Sequence, residues 1–241
     1  TGDAYYYATN IEGGNGDITI DAGNNLYFDQ VQDSQRSSNI KFSGHGKLSL
    51  GGSSGSKEFR LEGGGGYQQG RSQRTDAIVS KINTQGNVTL KAGADLTTKG
   101  MQIGKQGTRA SDVSLLAAGE VKLLAAVSGS ADINDSALAD FRLGGKRATG
   151  GASKEGFVGA GVQADKVNQS VSDRQGGHIY SKNTVSIKSD SDSNQAIHLE
   201  GLKIDAPKVD LSAQQGGVFI ESALSELPKD NWNFGFNLDM V

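Results

Sequence analysis

Few residues of this sequence have the types and the spacing that catalysis requires. The stretch GGSSG places Ser53 in a G-x-S-x-G pattern, which in hydrolases exposes a nucleophilic serine on a turn between a strand and a helix. No amphipathic helical pattern follows Ser53, so the pattern predicts a serine in a flexible loop.

Two acidic stretches resemble calcium-binding loops only in part. In GGNGDITID, Asp17 lies one position early for a calcium-binding nonapeptide, and the motif does not repeat. DSDSN at Asp190 begins like an EF-hand loop, but Gln195 stands where glycine is needed and Gly201 stands where the bidentate glutamate belongs. Neither stretch predicts a calcium site.

The remaining candidate motifs fail in the same way. The glycine-rich stretches GGGG at Gly63 and GGKRATGG at Gly144 lack the closing Gly-Lys-Ser/Thr of a phosphate-binding loop. His45, His178 and His198 share no ligand-like spacing, and the absence of cysteine excludes thiolate metal centres and disulfides. We therefore predict no catalytic residue, no cofactor and no metal, and we expect that the protein is not an enzyme.

The composition limits the classes of partner that the protein could bind. The 241 residues carry a net charge of −3 and only 6% aromatic residues, so no basic surface is available for nucleic acid. The 35 glycines without a collagen period, together with alternating Val, Ile and Leu, indicate many turns between short strands.

One unit recurs along the chain. It has an apolar–polar–apolar core, a turn rich in Gly, Asn and Asp, and a second apolar pair, as in NVTLKAGADL at Asn87 and DVSLLAAGEVKLLAA at Asp112. Val88 and Val113 are 25 residues apart, and Val185 and Val209 are 24 apart. Period-two alternation with a repeat of this length predicts an all-β fold, a right-handed parallel β-helix whose coils stack about 4.8 Å apart. The predicted core ladder consists of Val88, Leu90, Val113, Leu115, Val185, Ile187, Val209 and Leu211.

Two tracts interrupt the coils. They begin at Gly51 and Asp135 and resemble each other, since FRLEGGGGYQQG at Phe59 matches FRLGGKRATGG at Phe141. We interpret residues 1–241 as a single β-helical segment with protruding glycine-rich β-hairpins at about 51–81 and 135–173. Neither end of the chain resembles a polar cap, so we expect the segment to belong to a longer protein.

An arginine precedes each predicted return to the coils. The three are Arg36, Arg74 and Arg174. A planar guanidinium can form bidentate bonds with carbonyl or carboxylate oxygens, so these arginines are candidates for clamping the hairpin bases. The alternative is that each is a solvated charge beside a strand.

The segments INTQGNVTLKAGADLTTKGMQIG and SDVSLLAAGEVKLLAA, with the hairpin start at Trp232, resemble the haemagglutinin repeats of two-partner secretion exoproteins. That family includes filamentous haemagglutinins, contact-dependent inhibition proteins and haemolysins. The resemblance implies a secreted, cell-surface protein of a Gram-negative bacterium with a long β-helical shaft. The secretion domain of the family carries Asn-Pro motifs, which this sequence lacks, so the outer-membrane transporter would be engaged only through an amino-terminal domain absent from this chain.

Three functions remain open at this level. The first is a rigid shaft segment that holds a distal adhesive or toxic region away from the cell, with a host or neighbouring-cell surface as a possible partner. The second is a membrane-active haemolysin segment that acts through its hairpins, as alternation of apolar with glycine or polar residues allows. The third is polysaccharide cleavage, which rests on analogy with other β-helices alone.

Overall fold

The computed structural model describes residues 2–151 and 153–240, apart from the side chain of Asp239, and every regular element in these ranges is a β-strand. The strands are β1 (Ala4–Tyr7), β2 (Asn10–Gly14), β3 (Ile18–Ala22), β4 (Leu26–Asp29), β5 (Val31–Ser53), β6 (Ser56–Ile78), β7 (Lys81–Thr84), β8 (Val88–Ala92), β9 (Leu96–Lys99), β10 (Gln102–Ile103), β11 (Val113–Ala117), β12 (Val121–Leu124), β13 (Ala126–Ala148), β14 (Lys154–Gln175), β15 (His178–Tyr180), β16 (Thr184–Ser189), β17 (Ile197–Glu200), β18 (Lys203–Asp205), β19 (Lys208–Ala213), β20 (Val218–Glu221) and β21 (Lys229–Met240).

The chain forms two compact units rather than the single β-helical segment expected. The first, which we call the coil unit, comprises Thr1–Ser34, Thr75–Gly129 and Ser172–Glu226. The second, the sheet unit, comprises Gln35–Arg74, Ser130–Val171 and Leu227–Val241. The long arms predicted to leave the coils form a unit of their own, which the sequence analysis did not anticipate.

The coil unit is a parallel β-helix with three sheets. Five successive coils each supply one strand to each sheet, and the sheet orders are β2-β7-β10-β15-β18, β3-β8-β11-β16-β19 and β1-β4-β9-β12-β17-β20, with β1 preceding the first full coil. The pairing within these sheets is parallel throughout. The predicted β-helical fold is confirmed.

In the sheet β3-β8-β11-β16-β19, the sequence repeats place apolar residues in the core. Val88 is paired with Val113, and Val185 with Val209, as the repeats predict. Alternate residues of these strands point inward, and the interior is closed by apolar side chains from all three sheets. Six of the eight predicted ladder residues are fully buried: Val88, Leu90, Val113, Leu115, Val185 and Ile187.

The other two ladder residues are more exposed than predicted. Leu211 is half-buried and Val209 is 44% exposed. Both lie in β19, the last strand of its sheet, so no further coil covers their outer side. The expectation of full burial is wrong for Val209 because the apolar pattern marks the inward direction but not the neighbours on either side.

The turns between the second and third strands of a coil depend on glycine for close approach, whereas Gly100 and Gly201, which connect one coil to the next, have positive φ values of 64° and 60°. Neither Gly93 nor Gly119 has a positive φ. A Cβ on Gly93 would lie 2.2 Å from the carbonyl oxygen of Gly23 in the coil before it, and one on Gly119 would lie 2.1 Å from a carboxylate oxygen of Asp95. Asp95 in turn accepts a hydrogen bond from the backbone N–H of Glu120 at 2.8 Å, so turn carboxylates connect successive coils.

The hairpin arms are longer than the sequence indicated. The first hairpin is β5 and β6, Val31–Ile78, instead of 51–81, and the second is β13 and β14, Ala126–Gln175, instead of 135–173. The alternating stretch NIKFSGHGKLSLGG at Asn39 has the apolar spacing of a degenerate coil. It belongs to a hairpin arm, because a period of two fits any half-exposed strand equally well.

Candidate functional site

A polar contact lies in the coil unit where the chain leaves for β13 and returns after β14. Arg174, near the carboxyl end of β14, donates a hydrogen bond from Nη1 to Oε1 of Glu200 at 2.5 Å. The other oxygen of Glu200 accepts the backbone N–H of Ala125 at 3.2 Å. The Glu200 side chain is only 9% exposed, and its hydrogen bond raises the pKa of the Arg174 guanidinium. One carboxylate thus joins the start and the end of the second hairpin.

A second contact of this kind involves Gln30, immediately before β5. Its amide oxygen accepts the backbone N–H of Val127 at 2.7 Å, and its amide nitrogen donates to the carbonyl of Val127 at 3.0 Å. The two bonds engage both the N–H and the carbonyl of one residue of β13. Neither Gln30 nor Glu200 stood out in the sequence, since a single amide or carboxylate between strands carries no pattern.

The three candidate arginines do not all lie at the returning ends of the hairpins. Arg74 lies near the returning end of β6, and Arg174 near the returning end of β14, as expected for hairpin bases. Arg36 lies instead in the outgoing strand β5, so its assignment to a return segment is wrong. The error follows from the late start predicted for the first hairpin. The clamping role of Arg74 and Arg174 stays a prediction.

An ion pair that the sequence analysis missed lies on the β10-β15-β18 sheet. Arg109 donates from Nη1 and Nη2 to the two carboxylate oxygens of Asp205, both at 2.9 Å, and its guanidinium lies 5.7 Å from the ring centre of Tyr180. The bidentate bond lowers the pKa of Asp205 below its ordinary value. The rings of His178 and Tyr180 stack with centres 3.8 Å apart, and burial lowers the pKa of His178.

The sheet unit consists of one five-stranded sheet in the order β21-β14-β13-β6-β5. Within the first hairpin, the hydroxyls of Ser37 and Ser72 lie 2.8 Å apart, and the Asn39 side chain accepts the N–H of Gly70. The residue number falls on one strand as it rises on the other, so the arms are antiparallel. The same register places Phe42 opposite Tyr67, Leu48 opposite Leu61 and Leu50 opposite Phe59.

Close contacts extend the register across the other strands. A Cβ on Gly63 would touch the ring of Phe141, and one on Gly66 would lie 3.4 Å from the Cα of Leu138, so β6 and β13 are antiparallel neighbours. A Cβ on Gly161 would lie 3.0 Å from a carboxylate oxygen of Asp140 in the next strand pair. β14 then pairs antiparallel with β21, with Val158 opposite Met240 and Val162 opposite Phe236.

Combining these registers shows that one face of the sheet is apolar on all five strands. Its members share the same side because residues opposite one another in adjacent strands point the same way. The face consists of rows that cross the sheet, and the residues of each row follow the strand order β5, β6, β13, β14, β21. From the end near the hairpin turns, the rows are Leu50 and Phe59; Leu48, Leu61, Leu143, Val158 and Met240; Gly46, Gly63, Phe141, Ala160 and Leu238; Gly44, Gly65, Ala139, Val162 and Phe236; and Phe42, Tyr67, Ala137, Ala164 and Phe234. The large side chains of this set are exposed, up to 82% for Phe42. We call this surface the apolar face.

The opposite face carries charges of both signs. Arg60 pairs with Glu62 at 3.3 Å and lies over the ring of Phe157, 5.4 Å from its centre. His45 and Asp140 lie on this side, where they cover Gly64. The sheet is therefore amphipathic, with one soluble face and one face of hydrocarbon.

Two of the rejected motifs make ordinary structural contacts. Ser53 is the last residue of β5, and its hydroxyl lies 3.5 Å from that of Ser56. Asp17 accepts the N–H of Asn87, which is a contact between coils. Within residues 2–151 and 153–240, no three His, Cys, Asp or Glu side chains gather as metal ligands would, and no helix has the length and apolarity to cross a membrane.

Comparison with known proteins places the repeats in a family. The Hemagglutinin repeat family matches residues 1–108 and 101–235. A hemolysin of Serratia marcescens is 35% identical over 235 residues, and a hemolysin of Proteus mirabilis is 28% identical over 242. Each alignment covers 97% of this chain but 14% of the relative, so the chain spans about one seventh of the hemolysins it matches. No solved structure matches the chain significantly. The sequence, the parallel coils and these matches together show that the chain belongs to the haemagglutinin-repeat family, the repeat region of two-partner secretion exoproteins.

Proposed function

We propose that this chain is a structural segment of the shaft of a secreted exoprotein, exposed outside the cell and without catalytic activity. The observation that supports this is the continuous parallel ladder from Ile18 to Val209 through five coils. Each coil adds about 4.8 Å of length by repeating one simple pattern. The transporter would act on a domain outside this chain, and a host or neighbouring-cell surface would meet the distal end of the whole protein.

A second candidate function is membrane activity, and the apolar face is the observation that favours it. A single arm such as Gly156 to Val167 would contribute only about 2–4 kcal/mol of transfer free energy at about 25 cal/mol per Å². The structure supplies five strands on one apolar face. Five strands are about 24 Å wide, and the face extends about 30 Å along them, which gives roughly 700 Å². At the same coefficient its transfer would contribute about 17 kcal/mol.

The open edges of the sheet oppose insertion. In the described part of the sheet unit, β5 and β21 are the edge strands, and about half of the backbone groups of each face outward without a strand partner. Each such group costs several kcal/mol in hydrocarbon, so the edges outweigh the gain from the face. The shaft function is therefore the better supported of the two.

Dye release from liposomes tests the choice. We expect that the protein at micromolar concentration releases no dye and lyses no erythrocytes, because the coils satisfy their own backbone and bury their own ladders. Dye release that disappears when Val158 and Val162 are both changed to Asp would contradict the shaft function in favour of membrane activity. A matched change on the charged face, Gln163→Asp, controls for added charge.

A further inference from the structure

The apolar face goes beyond what a shaft requires. A coil unit that only supplies length has no use for a single-layered sheet with a hydrocarbon side, and monomeric soluble proteins rarely leave more than a few hundred Å² of contiguous apolar surface uncovered. Some surface of matching chemistry must cover roughly 700 Å².

We propose that this surface is the apolar face of a second copy of the chain, so that two sheets pack face to face as a β-sandwich. Two such faces together bury about 1,400 Å², which lies in the range of a standard specific interface. Sheets that pack in this way lie about 10 Å apart, with the side chains of the two inner faces interdigitated.

The shape of the face supports pairing with itself. In one central row the side chains shrink from one edge of the sheet to the other, from Phe236 on β21 through Ala139 to Gly44 on β5. In the next row Leu238 stands at the β21 edge and Phe141 in the middle, and the two positions on the β5 side are the glycines Gly63 and Gly46. Nothing lies within 4 Å of a Cβ built on Gly46, so the β5 side of the face is hollow where the β21 side is raised.

A two-fold axis parallel to the strands and above β13 reverses the strand order of the second sheet. It places Phe236 of one copy over Gly44 of the other and Leu238 over Gly46. Residues on β13, Ala139 and Phe141 among them, then face their own equivalents across the axis. In the flanking rows, apolar side chains of the two edge strands meet, Phe234 with Phe42 and Met240 with Leu48. An interface of this kind is isologous, and it closes after two copies without forming a fibre.

A lipid surface fits the same observations less well. Hydrocarbon chains adapt to any apolar relief and need no hollow opposite a ridge. The opposite face and the net charge of −3 offer no excess of cations for anionic headgroups. The paired sandwich also leaves the edge strands in water, where their backbone groups are solvated.

Sedimentation velocity of the purified chain between about 1 and 100 µM tests the proposal. The monomer has a mass of 25.1 kDa, and we expect a species of twice that mass. Gly46→Leu should raise the dimer dissociation constant by about tenfold or more, because it fills the hollow that the second copy's Leu238 would occupy. Gly51→Leu is the matched control, since it makes the same change on the same strand but on the charged face, where a Cβ also meets nothing within 4 Å.

A single cysteine provides an independent readout, because the chain has none of its own. Ala139→Cys should be linked to its equivalent by a short bis-maleimide, whereas Asp140→Cys, on the other face, should not. A monomer throughout the concentration range would overturn the proposal, as would a dimer that Gly46→Leu leaves unchanged. Binding of the monomer to phosphatidylcholine vesicles that Gly46→Leu leaves intact and Phe236→Ser weakens would assign the face to lipid instead. Dye release is measured separately, so failure of the dimer and failure of the shaft function give different results.

Discussion

Leu115 offers the sharpest test of the interior ladder. Its side chain is fully buried, and its strand β11 is paired on one side with β8 and on the other with β16, with Leu90 and Ile187 as its register partners. Leu115→Ala removes about three CH₂-sized groups, which cost about 0.8 kcal/mol each, or about 2.4 kcal/mol. Strands hydrogen-bonded on both sides cannot collapse into the space, so the cavity adds on the order of 1–2 kcal/mol. We expect a loss of about 3.5–4.5 kcal/mol in the free energy of unfolding.

The neighbouring residue is a matched control. Leu116 has the same side chain on the same strand, but it points outward, is half-exposed and pairs with Lys91 and Lys188. Leu116→Ala should cost less than about 1 kcal/mol, since it removes little buried surface and leaves no cavity. Leu115→Asp should abolish cooperative unfolding of the coil unit altogether, because an unpaired carboxylate cannot be solvated inside the ladder.

Urea titration followed by far-UV circular dichroism measures the change, with hydrogen exchange of the β8, β11 and β16 amides to assign it to the coil unit. The only tryptophan, Trp232, lies in the sheet unit, so its fluorescence follows that unit instead. Equal losses for Leu115→Ala and Leu116→Ala would refute the argument, because the difference depends only on which side of β11 is inside.

Three further predictions concern the polar contacts of the coil unit. Arg174→Lys should speed hydrogen exchange at the ends of β13 and β14, because lysine cannot reproduce the planar guanidinium beside Glu200, and exchange equal to wild type would favour a merely solvated charge. Asp205→Asn should remove the stability that the chain loses as the pH falls through the lowered pKa of Asp205, since that carboxylate stabilises the fold only while it is ionised beside Arg109; acid titration by circular dichroism measures this. Burial lowers the pKa of His178 from 6.5, so the unfolded chain binds the extra proton first and stability should fall as the pH drops below about 6.5; an unchanged pH slope of the urea midpoint in His178→Gln would contradict this.

The coils could be predicted from the sequence because each one repeats the same alternation of apolar and polar residues around a turn. Alternation fixes which side chains point inward, and the turn between apolar pairs fixes the register, so Val88 and Val113 align without knowledge of any other residue. Burial at the end of a sheet could not be predicted in this way. The exposure of Val209 depends on whether a further coil covers it, and that is not a property of its own segment.

The bounds of the hairpins were missed for a related reason. NIKFSGHGKLSL at Asn39 alternates as a coil strand does, and nothing within those twelve letters distinguishes a strand that continues around the helix from one that continues straight for 23 residues. The polar contact at Glu200 was equally invisible. It forms only where residues 125, 174 and 200 come together in the fold, and no spacing in the sequence indicates that contact.

The apolar face was beyond reach because it belongs to no single segment. Four of its rows take one residue from each of five strands, which come from three separate stretches of the chain. In the sequence of a single arm, only a few valines and alanines among glycines belong to this face. Only the register of four strand pairs shows that the apolar positions coincide on one side and the charged positions on the other.

The order of the insertions gives this sheet a physical rationale. Hairpins follow β4 and β12, and β21 follows β20, so an excursion leaves after the first, third and fifth coils, always behind a strand of the same sheet. The arms pair in chain order, as β5, β6, β13, β14 and β21, so each excursion adds its strands beside those of the excursion before it. The apolar face therefore grows by one column of side chains with every strand that an excursion supplies.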